Sequence, residues 1–256
     1  MCFDADSHPP IEPIAGGALD HASLTLSGAD GASFRAFEAR PARPTGAGIL
    51  ILPDVRGLHP FFEELALRFA EHGIAAVAID YFGRTAGTGR RDGDFEYRPH
   101  VEQTHWTSLA GDIRAGAARL KAMDPAPRAC FLTGFCFGGR LTSDATTLGL
   151  GFAGAIPFYG FPTGDAGNGS PAPADVAAQI ECPVLAIYGG ADQGIPAGVR
   201  DAYDRALARA GVEHETIAYE GAPHSFFDRK AADFQDAAEG AWQRTLAFIV
   251  AHTPAS

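Results

Sequence analysis

The chain alternates short, continuous apolar runs with longer stretches in which apolar residues recur every three or four positions. Runs near Leu24, Phe34, Ile49, 74–79, Cys130, 152–158, Val184 and Thr216 have the length and character of strands. Amphipathic segments separate most of them. Leu109, Ile113, Ala117 and Leu120 share one helical face, as do Val199, Tyr203 and Leu207, and again Phe234, Ala238, Trp242 and Leu246. The alternation predicts an α/β fold built on a mostly parallel, doubly wound sheet of about eight strands with helices on both faces. Gly28-Ala29-Asp30-Gly31 separates the first two runs and reads as a hairpin, so an antiparallel edge is expected there. No low-complexity or charged linker interrupts the 256 residues. They read as a single domain, with residues 1–20 as an N-terminal extension.

One junction between a strand and a helix stands apart. The run ending at Thr133 continues into Gly134-Phe135-Cys136-Phe137-Gly138-Gly139, and helical character resumes from Leu141. A tight turn is needed between them, and Cys136 occupies it. Gly134 and Gly138 lack Cβ atoms, which permits a strained turn and clears space beside the sulfur. A thiol at a helix N-terminus also feels unpaired N–H groups and the positive end of the helix dipole, which favour the nucleophilic thiolate. The competing reading is a packed core cysteine. The glycine frame favours the nucleophile.

A nucleophile requires a base, and the base an orienting acid. The apolar run 183–188 ends in Gly189-Gly190-Ala191-Asp192, which puts Asp192 just past a strand. His224 lies in the loop after the next run, in Gly221-Ala222-Pro223-His224-Ser225-Phe226-Phe227. Singly, Asp192 reads as a turn residue and His224 as a solvated loop residue. Together with Cys136 they stand in the order nucleophile, acid, histidine, which is that of the α/β-hydrolase fold.

On these residues the sequence resembles the dienelactone hydrolase family, also called carboxymethylenebutenolidase-like. The matching motifs are the elbow 134–139, the stretch ending at Asp192 and the loop around His224, and the likeness extends over nearly the whole chain. The resemblance implies an α/β-hydrolase fold and cleavage of an activated ester or lactone, such as an enol lactone, through a Cys136–His224–Asp192 triad and an acyl-enzyme. It also implies an oxyanion hole from the N–H groups of Val55 and Phe137, such donors being worth about 3 kcal/mol each. Asp54 stands where well-studied members carry a glutamate that modulates the thiol. Its alternative is a cap for the helix beginning near His59. Arg84 matches an arginine that grips the substrate carboxylate, whereas the position of a second such arginine holds Asp228, with Arg229 next to it.

The segment 81–98 follows the strand ending at Asp80 and should lie at the carboxyl edge of the sheet, where ligands bind. Tyr81 and Phe82 are the leading candidates for an aromatic wall of the pocket. Arg90, Arg91 and Arg98 read as partners of Asp92, Asp94 and Glu96 on a solvated loop. The Gly-, Pro- and Ser-rich stretch 159–175 should cross the top of the sheet and shape the pocket mouth.

Composition narrows the function further. A formal net charge of −11 argues against nucleic-acid partners and anionic membrane surfaces. The expected partner is a small-molecule ester or lactone. The opening residues lack a basic start and an apolar run, so neither signal peptide nor anchor is expected and the chain reads as cytoplasmic. Four cysteines without CxxC spacing read as reduced thiols, and nine histidines without ligand spacing predict no metal and no cofactor. Two rival readings share the same residues: a generalist carboxylesterase or thioesterase, and a non-catalytic hydrolase-fold binding protein.

Overall fold

The eight apolar runs become eight strands of one sheet. The computed structural model describes residues 7–14, 20–227 and 231–255, so Asp228 and Arg229 lie outside the described residues. The strands are β1 (Asp20–Ser27), β2 (Ser33–Arg40), β3 (Ala47–Leu52), β4 (Ala75–Ile79), β5 (Ala129–Phe135), β6 (Gly154–Phe158), β7 (Val184–Gly189) and β8 (His214–Tyr219). Their spatial order is β1-β2-β4-β3-β5-β6-β7-β8. The β1–β2 hairpin is antiparallel, β2 also runs antiparallel to β4, and the remaining pairs are parallel.

The helices are α1 (Pro60–Glu71), α2 (Gly83–Ala86), α3 (Arg98–Val101), α4 (Trp106–Lys121), α5 (Phe137–Ala145), α6 (Ala197–Ala210) and α7 (Gln235–Ala251). Successive residues of a strand face opposite sides of a sheet. Ile49 and Ile51 accordingly join a cluster with Phe61, Phe69 and Trp242 of α1 and α7. Leu50 and Leu52 join another with Leu109 and Ile113 of α4 and Leu141 of α5. Both faces of the central strands are covered, and for this reason their sequences are continuous apolar runs rather than alternating ones. Among the described residues, no helix is long and apolar enough to cross a membrane.

Parallel strands end on one rim, and the rim is drawn tight by glycines. A Cβ at Gly138 would lie 2.1 Å from the Leu52 carbonyl oxygen and 2.2 Å from that of Pro53, both of them main chain at the end of β3. Main chain cannot swing aside as a side chain can. Gly138→Ala should therefore cost more than about 4 kcal/mol in urea denaturation or leave the protein insoluble. Gly198→Ala, in open space on α6, should instead stabilise by up to about 1 kcal/mol. Equal stability of the two variants would refute this account of the rim.

Candidate active site

Register brings the three distant side chains to one edge. Phe135 pairs with Phe158, Phe158 with Ile187 and Gly189 with Tyr219. The segments that follow β5, β7 and β8, carrying Cys136, Asp192 and His224, therefore leave the sheet on the same side. Cys136 is the residue between β5 and α5, with φ 55° and ψ −109°. Such a conformation costs a non-glycine residue about 1–3 kcal/mol. It is held by hydrogen bonds on either side of the turn: the Cys136 N–H donates to the Phe158 carbonyl at 3.0 Å, and the Cys136 carbonyl accepts from the Arg140 N–H at 3.1 Å. Cβ atoms at Gly134 and Gly139 would lie 2.3 Å from the Gly138 carbonyl oxygen and 2.4 Å from that of Phe158. The cysteine is 8% exposed.

His224 reaches back toward β7. A Cβ at Gly189 would meet the Pro223 carbonyl oxygen at 2.4 Å, and the Ala191 N–H donates to the Ala222 carbonyl at 2.9 Å. Main chain thus seats the histidine loop directly against the Asp192 loop. Nδ1 of His224 lies 2.6 Å from Oδ2 of Asp192. An ionised carboxylate only accepts, so Nδ1 carries the proton and Nε2 is the basic nitrogen. The other oxygen, Oδ1, accepts from the Gly194 and Ile195 N–H groups at 2.9 and 3.3 Å. Burial raises the Asp192 pKa, but the His224 contact and these two N–H groups outweigh it and hold the carboxyl below its ordinary value. The imidazole packs against Tyr159, ring centroids 4.9 Å apart, and Phe161, 5.8 Å apart.

The loop after β3 completes the rim. Phe137 is the first residue of α5, where N–H groups have no intrahelical acceptor, and Val55 follows the carbonyls that Gly138 abuts. Asp54 is fully buried, and its Oδ1 accepts the Arg56 N–H at 2.9 Å. It does not cap α1, whose N-cap is His59. Gly57, at φ +76°, turns this loop, and a Cβ there would strike Oδ1 of Asp80 at 2.3 Å. Asp80 is the loop's buried anchor. It accepts the Leu58 N–H at 2.9 Å, the Phe82 N–H at 3.1 Å and two bonds from the Arg91 guanidinium.

Tyr81 and Phe82 are more deeply packed than an exposed aromatic wall requires. Tyr81 donates from its hydroxyl to the Pro53 carbonyl at 2.8 Å and packs edge-on against Phe137. Burial, followed by the charges of Asp54, Asp80 and Cys136, pushes its phenol well above the ordinary value. Phe82 is wholly buried against Tyr81, Phe95 and His100. The arginines differ more sharply from the sequence expectation. Arg84 spends its guanidinium on Asp30 at 2.8 Å and Asp112 at 2.6 Å, tying the β1–β2 turn to α4. Arg90 pairs with Glu63 and Arg91 with Asp80, not with the acids of their own loop. Fully buried carboxylates at Asp80 and Asp112 demand cationic partners more strongly than solvated ones do.

Four other residues shape the rim without having been singled out by sequence: Asp80, His59, Phe161 and Arg140. An acid closing a buried apolar strand is a readable signal for Asp80, because it needs a partner. Phe161 and Arg140 depend on contacts between segments far apart in the chain, whereas His59 meets Asp54, Phe61 and Phe62 of its own segment.

Residues 34–253 match the family model described as dienelactone hydrolase family. A Methylorubrum extorquens AM1 protein provisionally named carboxymethylenebutenolidase is 30% identical over 224 residues, covering 82% of this chain and 74% of its own length. An Escherichia coli K12 protein with the same provisional name is 28% identical, covering 88% and 85%. Among solved structures, one from Klebsiella pneumoniae provisionally assigned as a dienelactone hydrolase is 25% identical, with a TM-score of 0.80 over 91% of this chain and 99% of that one.

Burial, aided by the charge of Arg56, holds the His59 imidazole down at about 3. It is neutral in the folded chain, whereas the unfolded chain takes up the proton as pH falls below 6.5. Stability must therefore decline as pH drops from 6.5 toward 3, by up to about 1.4 kcal/mol per pH unit from this group. His59→Gln should flatten that decline in urea titrations run between about pH 7 and about pH 4. Parallel declines for the variant and the wild type would refute the assignment.

Proposed function

This chain belongs to the dienelactone hydrolase family, and from that premise we propose that it hydrolyses an ester or lactone through a covalent acyl-cysteine intermediate. Cys136 is the nucleophile, His224 the general base and acid, and Asp192 the group that orients and charges the imidazole. The observation that carries this reading is the 2.6 Å bond between His224 and Asp192 on the rim where Cys136 is held in a strained elbow. Strain maintained by so many main-chain contacts supports a working site over a packing residue.

In the proposed reaction, Nε2 of His224 takes the Cys136 thiol proton, and the resulting sulfur lone pair forms a bond to the carbonyl carbon as the C=O π pair moves onto oxygen. The N–H groups of Phe137 and Val55 stabilise that oxyanion. The intermediate collapses, the C–O bond breaks and His224 delivers its proton to the leaving oxygen. Water then adds to the thioester with His224 as base, and the sulfur leaves with the bonding pair. Thiolate is itself a good leaving group, so collapse goes forward when the alcohol is competitive. Enolates and phenolates meet that condition better than alkoxides, and far better than amines. Asp54, buried beside the same loop, modulates the thiol's charge state in this scheme.

A second reading, a carboxylesterase for neutral esters, is favoured by Arg84. A guanidinium shared between Asp30 and Asp112 presents little to a substrate carboxylate.

Cys136→Ala should lower turnover of an enol lactone or phenyl ester at least about 10³-fold, and intact-mass spectrometry should find an acyl adduct on wild type alone. Turnover that survives the substitution would sink the mechanism. Arg84→Gln leaves Asp112 buried without its partner and should cost about 2–3 kcal/mol in urea denaturation. Its kcat/KM values for anionic and neutral esters should shift together. A loss confined to anionic esters would make Arg84 a carboxylate receptor after all.

A further inference from the structure

Arg140 lies one helical turn beyond Cys136 on α5, is 5% exposed and has every guanidinium donor in use. Nε donates to Ser170 Oγ at 3.3 Å. Nη1 donates to the carbonyls of Phe161 and Thr163 at 3.3 and 3.2 Å, and Nη2 to those of Gly164 and Pro171, both at 2.8 Å. Asp144, one turn further along α5, places Oδ2 3.8 Å from Nε, and burial pushes its carboxyl up to about 7 against the pull of Arg140. All five partners belong to the connection from β6 to β7, whose stretch from Gly160 to Pro173 is mostly glycine, proline and small polar residues. Such a segment has few side chains to bury and cannot hold one conformation by its own packing. The Arg140 guanidinium supplies the missing scaffold.

The scaffold holds an aromatic ring at the mouth of the site. Phe161 is 39% exposed, and its ring centroid is 5.8 Å from that of His224. A Cβ placed on Gly194 would meet the ring at 3.2 Å, so Phe161 is wedged between the histidine and the loop of Asp192. Further along, the Asn168 carbonyl accepts the Trp106 N–H at 2.8 Å, fastening the same connection to the start of α4. In the proposed hydrolysis His224 hands its proton to the leaving oxygen, so the alcohol portion of the ester must pass beside His224 and hence beside Phe161.

Resting on that reading of the site, we infer that Phe161 is a specificity-determining residue that selects esters of aromatic or enolic alcohols by packing against the leaving group, and that Arg140 is the positioning residue that holds it there. A lysine could not replace Arg140 in this role, because three donors radiating from one point cannot reach five acceptors arranged around a planar fork.

The test compares two substrate series on wild type, Phe161→Ala, Phe161→Leu, Arg140→Lys and the Phe161→Ala/Arg140→Lys double variant. One series is acetate esters of methyl, butyl and phenyl alcohols; the other is phenyl esters of acetate, butyrate and hexanoate. Phe161→Ala should reduce the phenyl-over-methyl preference in kcat/KM by about five- to tenfold, the range expected for one aromatic contact, while the ranking within the acyl series stays as in wild type. Phe161→Leu should restore part of the preference. Arg140→Lys should reproduce the loss, and the double variant should lose no more than the larger single effect. An unchanged leaving-group preference in Phe161→Ala, an equal change in both series, or additive losses in the double variant would overturn the inference. Should Arg140→Lys not fold, Ser170→Ala, which removes one of the five contacts, takes its place under the same criteria. Absence of turnover in wild type on both series would instead remove the hydrolytic reading itself, and this inference with it.

Discussion

Everything at the rim depends on main chain meeting main chain around Cys136. The ends of β3, β5 and β6 converge there so closely that Gly134, Gly138, Gly139 and Gly160 each leave less than 2.5 Å between a notional Cβ and a backbone atom. Only residues without side chains allow that approach. It buries the N-terminal turn of α5 against β3 and β6, and the surrounding hydrogen bonds keep a cysteine at φ 55° that would relax in a looser setting. The sheet thus acts as a clamp. Its parallel strands supply several level ends, and the glycines bring those ends together.

A second constraint couples the loops that emerge from the clamp. Asp80, without solvent contact, satisfies its oxygens with N–H groups from the β3–α1 and β4–α2 loops and with the Arg91 guanidinium. A carboxylate so deep in apolar surroundings is tolerated only with such partners, and removing any one of them leaves a buried charge. The loop carrying Asp54 and Val55 is therefore braced by Asp80 from the end of the neighbouring strand. Arg140 performs the corresponding task for the connection carrying Phe161.

These commitments change the character of the site. Arg84 and Arg140 are cations near the carboxyl rim, and both are given over to acceptors of the protein itself. What the histidine faces instead is aromatic: Tyr159 and Phe161 lie within 6 Å of its ring. Asp192 is buried and His224 only partly so, so the carboxylate end of the pair is the less screened by water.

Strand positions, the hairpin and the parallel core were legible in the sequence because they follow from local periodicity: Ile49 and Leu50 point to opposite faces whatever else the chain does, and both faces are apolar. The elbow was legible too, because a glycine is uninformative only until it flanks a reactive residue at a strand's end. Asp192 and His224 were readable by their order along the chain, but their 2.6 Å contact comes from the close passage of Gly189 and Ala222, which no one-dimensional pattern contains. The ion pairs were the least legible part. Arg91 has three acidic residues within five positions of it yet pairs with Asp80, and Arg84 reaches back 54 residues to Asp30. By itself, then, the sequence determined which segments form the buried strands and which strand ends carry the cysteine, the acid and the histidine, since these follow from side-chain polarity and local backbone preference. Only the tertiary structure decided which charges meet, because a buried carboxylate takes its cation from whatever segment the packing brings within reach, and that depends on the fold as a whole rather than on distance along the chain.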